Sequence, residues 1–311
     1  MIDAFSKAFF GSLAGSPRLK HAASRYGMRS ARSFARRFVA GETIDEAIAA
    51  AHDLEAQGLA HTLDLLGESV ASDAEAGAAT DAYRAMLPRI AAADIGRNIS
   101  IKLTQLGLDL STELAEANLR AILAPARDEG FFVRIDMENS PYVEATLALF
   151  ERVWRDGLTN VGVVLQSALK RSEADLERVL ALGARVRLVK GAYKEPAAVA
   201  WQSKGDVDAA YVRLLTRLLP AGTFPAIATH DPDMLAEARR VAREAGLDAS
   251  RFEFQMLYGV RRDLQAALVT EGYGVRVYIP YGREWFPYFM RRLGERPANV
   301  GFVLKSLIRE R

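Results

Sequence analysis

The chain has 311 residues, half of them hydrophobic, which is enough to bury a large core as one barrel or two modest domains. Its 41 Lys and Arg nearly cancel its 39 Asp and Glu, so the net charge of +2 gives no field for a polyanion and no nucleic-acid partner is expected. With no cysteine, disulfides, thiolate nucleophiles, iron–sulfur ligation and cysteine zinc sites are excluded, and any redox chemistry must come from a bound cofactor.

The opening stretch, MIDAFSKAFFGSLAGSPRLK, carries early charges, and no uncharged apolar run reaches the ~18 residues of a membrane span. A cytoplasmic protein is expected. Residues 1–57 read as an N-terminal helical segment throughout, basic from Arg18 to Arg37 and then amphipathic in ETIDEAIAAAHDLEAQG, where Thr43 and Glu46 form a capping box.

From residue 58 to 311 the pattern changes. Eight β-favouring runs follow in order, TLDLL, NISIKL, FFVRID, VGVVLQ, RVRLVK, PAIATH, FEFQML and GVRVYI, separated by longer amphipathic segments that open on Ser, Thr or Asp. Strict strand and helix alternation at this length predicts an α/β protein, a (βα)8 TIM-type barrel with additional N-terminal helices; an open doubly wound sheet is the alternative.

Barrel strands are covered on both faces and should be almost wholly apolar. Yet successive runs carry Lys102, Asp136, Gln166, Lys190, His230, Gln255 and Tyr278 at or within two positions of their ends. One such residue is simply where solvent begins; seven in a row predict convergence on the C-terminal mouth, where barrels carry their chemistry. Arg134, Arg187, Glu253 and Arg276 lie deeper in the strands, where an unpaired charge costs several kcal/mol, so each must pair or reach a ligand. Dinucleotide, P-loop, zincin and serine-hydrolase motifs are absent. His52 and His61 lack metal-ligand spacing, and no His-based metal site is expected.

The stretch RVYIPYGREWFPYFMRRLGERPANVGFV, residues 276 to 303, resembles the signature of the proline dehydrogenase family: a Tyr after the last strand, then a helix carrying Tyr, paired Arg and Glu. Four more segments agree in order and spacing: SIKLT around Lys102, RIDMEN around Asp136, RLVKGAY from Arg187 to Tyr193, and ATH followed by EFQMLYG through Gln255 and Leu257. One departure is visible. After RLVKGAY the bifunctional relatives usually carry Trp, where this chain has Lys194 and reaches Trp201 later.

The resemblance implies a flavoprotein with FAD at the C-terminal mouth and L-proline between the isoalloxazine and the eighth helix, oxidised to 1-pyrroline-5-carboxylate. It implies the monofunctional branch, since length for an aldehyde dehydrogenase module is lacking. A quinone acceptor, a separate pyrroline-5-carboxylate dehydrogenase and peripheral contact with the inner face of the membrane follow from the same resemblance. Competing readings are a flavin barrel acting on hydroxyproline or another cyclic imino acid, and a non-catalytic binding barrel.

Under that resemblance each residue type has a chemical reason. Arg291 and Arg292 offer planar forks for the substrate carboxylate, and Lys102 adds a third positive group. A solvated basic face is the ordinary meaning of an Arg pair, but the setting WFPYFMRRL, with Tyr288 one turn before Arg291, argues for a pocket. Asp136 is read as an orienter that offsets this cluster. Tyr193, Leu257, Tyr278 and Tyr288 supply walls that exclude water. For the flavin, Arg187 and Lys190 offer charge near the isoalloxazine N1 and the pyrophosphate, Gln166 and Gln255 bond ring heteroatoms, and Val189, Gly191 and Ala192 line the approach. Thr229 and His230 precede a helix whose N-terminal amides suit phosphate or ribose. Glu295 pairs with Arg291 or meets a ribityl hydroxyl.

Overall fold

All eight apolar runs form strands in the computed structural model, which describes Met28 and residues 34–295, the last three as backbone only. They are β1 (Ala60–Leu65), β2 (Asn98–Ile101), β3 (Phe132–Ile135), β4 (Val161–Gln166), β5 (Arg185–Val189), β6 (Ala226–Ala228), β7 (Glu253–Leu257) and β8 (Gly274–Tyr281). Each pairs in parallel with its chain neighbours, and β1 meets β8 from Ala60 opposite Arg276 to Leu65 opposite Tyr281, which closes the barrel. The open doubly wound alternative is thereby set aside.

Helix α1 (Ile44–Glu55) precedes the barrel. The outer layer is α2 (Asp73–Ala92), α3 (Thr112–Asp128), α4 (Val143–Arg155), α5 (Ser172–Ala181), α6 (Lys204–Ala221), α7 (Pro232–Glu244), α8 (Arg262–Thr270) and α9 (Trp285–Glu295). Ser72, Ser111, Ser203 and Asp231 cap α2, α3, α6 and α7 with their side chains, satisfying amides that the first turn leaves open. Ser140 departs from this pattern. It opens a 3-10 turn before α4, and its amide and hydroxyl instead donate to Glu195 at 2.7 and 2.5 Å, tying the loop after β3 to the loop after β5.

The N-terminal segment is not helical throughout. Residues 1–27 and 29–33 lie outside the described residues; Phe34–Arg37 form one 3-10 turn, and α1 begins only at Ile44. Between them the chain runs along the end of β8, Ala40 donating to the Pro280 carbonyl and Gly282 to the Gly41 carbonyl. The expected capping box at Thr43 and Glu46 is present, and its extended N-cap is what stops the helix from continuing upstream. Met28, Ala35, Val39 and Leu66 pack against Trp285, Phe286, Tyr288 and Met290, and the Trp285 indole donates to Glu42 at 3.1 Å. The segment before α1 therefore braces α9.

The barrel interior is polar, with a period of two along the strands: Thr62 and Asp64, Ser100 and Lys102, Arg134 and Asp136, Glu253 and Gln255, Arg276 and Tyr278. Alternate residues such as Leu63, Ile101, Val133, Ile135, Phe254 and Val277 are buried in the hydrophobic core. Each deep charge has found partners. Arg276 pairs with Glu253 at 2.9 Å; Arg134 has no carboxylate and instead donates to the Val163 and Arg185 carbonyls at 3.0 and 2.8 Å, its guanidinium 4.9 Å over the Phe132 ring.

Gly162 makes room for that guanidinium. A Cβ there would lie 2.5 Å from the Arg185 carbonyl oxygen and 2.8 Å from Arg134 Nη1. Gly162→Ala is expected to destabilise the barrel by about 1 to 3 kcal/mol, the usual cost of overpacking. A urea midpoint equal to wild type would show that β4 and β5 can part at no cost.

Candidate active site

The C-terminal ends of the strands, the loops after them and one face of α9 surround a cavity of about 640 Å³. All the substrate-side candidates line it: Lys102, Asp136, Tyr193, Leu257, Tyr278, Tyr288, Arg291 and Arg292. So do Gln166, Arg187, Val189, Lys190, Gly191, Ala192, Thr229, His230 and Gln255. The Glu295 side chain lies outside the described residues.

Asp136 is the hub of the floor. Arg187 Nη1 donates to its Oδ1 at 2.6 Å, the Tyr278 hydroxyl donates to its Oδ2 at 2.7 Å, and Lys102 Nζ stands 3.8 Å away. The buried Arg187 fork also donates to Gln255 Oε1 at 2.5 Å and Ser100 Oγ at 3.1 Å, and its cation lies 5.4 Å over the Tyr278 ring. Such contacts between β5 and β2, or β8 and β3, can be made only through the barrel interior, since these strands are not neighbours. Burial, then the Asp136 carboxylate, pushes the Tyr278 phenol well above its ordinary value, so it stays a donor.

Gln255 differs from expectation. The Gln255 amide is used on both sides, by Arg187 and by Glu253, so it serves the floor rather than a free ring heteroatom. Gln166 donates to the Glu138 carbonyl at 2.8 Å, which leaves its oxygen beside Gly191. Gly191 has a φ of +109°, and a Cβ there would come within 3.1 Å of that oxygen; only glycine fits the turn without strain.

Lys190 is not a lone cation either. It bridges Asp208 and Asp231, the second at 2.6 Å. Burial pushes the Asp231 carboxyl up, but Lys190 and Lys204 outweigh it and hold the group down to about 2. Thr229 Oγ1 accepts the Asp231 amide at 3.1 Å, and His230 Nε2 accepts the Leu257 amide at 2.9 Å, which fixes the ring proton on Nδ1. Both residues stand at the start of α7, as read from the sequence.

At the rim, Arg291 forms a two-pronged pair with Glu68, one contact at 2.9 Å, and Arg292 lies 5.2 Å over the Tyr288 ring. Glu68 was missed by sequence reasoning, as were Met137, Asp231 and Arg261 of the lining. Trp201 does not line the cavity; its ring lies under Lys170 at 5.5 Å, so it does not stand in for the Trp that bifunctional relatives carry earlier.

A closed (βα)8 barrel with charged and aromatic side chains gathered at its C-terminal mouth is the architecture of a TIM-barrel enzyme. Residues 47–305 match the family model described as proline dehydrogenase, and the chain belongs to that family. It is 44% identical over 288 residues to Proline dehydrogenase 1 of Bacillus subtilis, covering 93% of this chain and 94% of that one. It is 43% identical to Proline dehydrogenase of Deinococcus radiodurans, covering 89% and 91%. Against the bifunctional protein PutA of Escherichia coli it is 30% identical, over 86% of this chain and 23% of that protein. Its fold matches the crystal structure of PutA from Bdellovibrio bacteriovorus inactivated by N-propargylglycine with a TM-score of 0.78 at 26% identity, covering 83% of this chain and 32% of that one.

Proposed function

We propose that the chain oxidises L-proline to 1-pyrroline-5-carboxylate with FAD bound in the cavity at the barrel mouth. The observation that carries this reading is the convergence of Lys102, Tyr278, Arg291 and Arg292 in one cavity of a proline dehydrogenase family member.

The residues present fit a flavin. The cavity lining runs from the cationic rim through Gly191 to the start of α7. Thr229 and His230 would stand beside the ribose, with Gln166, Arg187, Val189 and Ala192 toward the ring system; the first α7 amides, expected to take a phosphate, are not open to one, since Pro232 has none and the Asp233 amide donates to Asp231. Lys190, paired with Asp208 and Asp231, would have one donor left for a phosphate, its charge already offset by the two carboxylates. When bound, FAD would accept the hydride that leaves C5 of proline.

The chain's own residues do the rest. Arg291 and Arg292 bind the substrate carboxylate and fix the ring's orientation, aided by Lys102. Tyr193, Leu257 and Tyr288 exclude water beside the ring. Asp136 already accepts two donors, so it orients Arg187 and Tyr278 rather than taking the substrate's proton. Electrons pass onward to a quinone, and the product to a separate pyrroline-5-carboxylate dehydrogenase. Among the described residues no helix is long and apolar enough to cross a membrane, so a cytoplasmic chain would meet a membrane quinone peripherally, at the inner face.

Purified protein is expected to carry FAD that L-proline bleaches anaerobically; flavin-free preparations that reduce NAD with proline would overturn the reading. Tyr278 makes a sharper point. An apolar wall rejects an added hydroxyl by about 10²-fold, so wild type should prefer L-proline to trans-4-hydroxy-L-proline in kcat/KM. Tyr278→Ser is expected to narrow that ratio by about tenfold, chiefly by losing proline activity. An unchanged ratio would mean that Tyr278 does not face the ring.

A further inference from the structure

Resting on that reading, we propose that Asp64 is a positioning residue of the site, holding the Lys102 ammonium from beneath the cavity floor where the substrate carboxylate meets it. Asp64 sits on β1 between Leu63 and Leu65, is fully buried and does not line the cavity, whereas Lys102 does. Lys102 Nζ donates to Asp64 Oδ1 at 3.1 Å and stands 3.5 Å from the Tyr278 hydroxyl. An ammonium has three donors, and these two contacts leave the third for the cavity.

Asp136 cannot replace Asp64 in this role. Its Oδ1 accepts from Arg187 and its Oδ2 from Tyr278, and Lys102 lies beyond hydrogen-bond reach at 3.8 Å. The floor charges therefore pair two by two, Asp136 with Arg187 and Asp64 with Lys102. Burial by itself would lower the Lys102 pKa; Asp64 foremost, then Asp136 and Glu68, reverse this and hold it above its ordinary value, so the ammonium persists.

Fold stability does not account for Asp64. A buried ion pair is commonly no more stabilising than an apolar pair of similar volume. Asp64 Oδ2 moreover makes no hydrogen bond among the described residues, a cost the barrel bears without structural return. The return lies in where Lys102 is held.

The test uses flavin-loaded wild type, Asp64→Asn, Lys102→Met and the double variant. Three quantities are read: KM and kcat for L-proline, the dissociation constant of tetrahydrofuran-2-carboxylate, which keeps the ring and carboxylate without the amine, and the melting temperature. Asp64→Asn is expected to weaken both KM and the analogue's affinity by about tenfold, with kcat changed by less than about threefold and flavin content kept. Because Asp64 acts through Lys102, the double variant should bind the analogue no worse than Lys102→Met alone. Wild-type affinity in Asp64→Asn, or losses that multiply in the double variant, would overturn the proposal. Should Asp64→Asn not fold, the double variant, which removes both buried charges, decides against Lys102→Met by the same comparison. A wild-type protein that neither binds the analogue nor oxidises proline would instead overturn the functional reading itself.

Discussion

Arg187→Met is expected to cost about 3 to 5 kcal/mol of stability and to strip the flavin, because breaking a buried charge pair leaves the partner charge uncompensated. The guanidinium serves three acceptors at once, Asp136 Oδ1 at 2.6 Å, Gln255 Oε1 at 2.5 Å and Ser100 Oγ at 3.1 Å. A thioether replaces none of them. Asp136 would keep only Tyr278 and the more distant Lys102, and the Gln255 amide would lose one side of a chain that runs on through Glu253 to Arg276. Arg187→Lys keeps the charge but not the fork, and a single ammonium cannot meet acceptors on β2, just after β3 and on β7 with the same geometry, so it should fall between wild type and Met. Bound flavin per chain and melting temperature read both variants. Wild-type values in Arg187→Met would mean that the floor network neither supports the barrel nor shapes the cofactor site.

The strands were legible as short apolar runs, seven of the eight carrying a polar residue at or near the end where the barrel meets its mouth. Arg187 and Arg276 were read as charges deep in the strands that must pair or reach a ligand, and both are paired, Arg187 with Asp136 and Arg276 with Glu253. Asp64 carried the same signal, one charge inside the apolar run TLDLL, yet a reading of strand ends passes over it because that run continues to an apolar end. Glu68 offered no signal. It stands in the polar loop GESVASD, and its pairing with Arg291 spans 223 residues. Lys190 was read as available charge because its neutralising partners, Asp208 and Asp231, are 18 and 41 residues away and come near only when α6 and β6 pack beside β5. The extended stretch before α1 was hidden for a similar reason, since its hydrogen bonds go to the far end of β8.

Arg291 and Arg292 carry the largest expected effect on substrate affinity. Losing one charge-assisted partner of a carboxylate costs about 1.5 to 3 kcal/mol, so Arg291→Met or Arg292→Met should lower kcat/KM for L-proline by about 10 to 150-fold, mainly through KM. For Arg291 the structure adds a competitor. Its fork is engaged by the Glu68 carboxylate, so the substrate carboxylate must exchange with Glu68 rather than meet an open cation, and the net gain from Arg291 is reduced by what that pair gives up. Arg291→Met therefore belongs toward the lower end of the range. Burial would lower the Arg291 pKa, but Glu68 outweighs it and raises the value, so neither charge state nor its loss with pH blurs the comparison. Because both forks address one carboxylate, the double variant should lose less than the product of the single losses. Arg292→Lys separates charge from shape: a point charge without the planar fork should recover part of the affinity of Arg292→Met and not all of it. Steady-state kinetics with L-proline read every variant. KM and kcat/KM unchanged in both Met variants would remove α9 from the carboxylate site and leave Lys102 as the only cation of the three assigned to it.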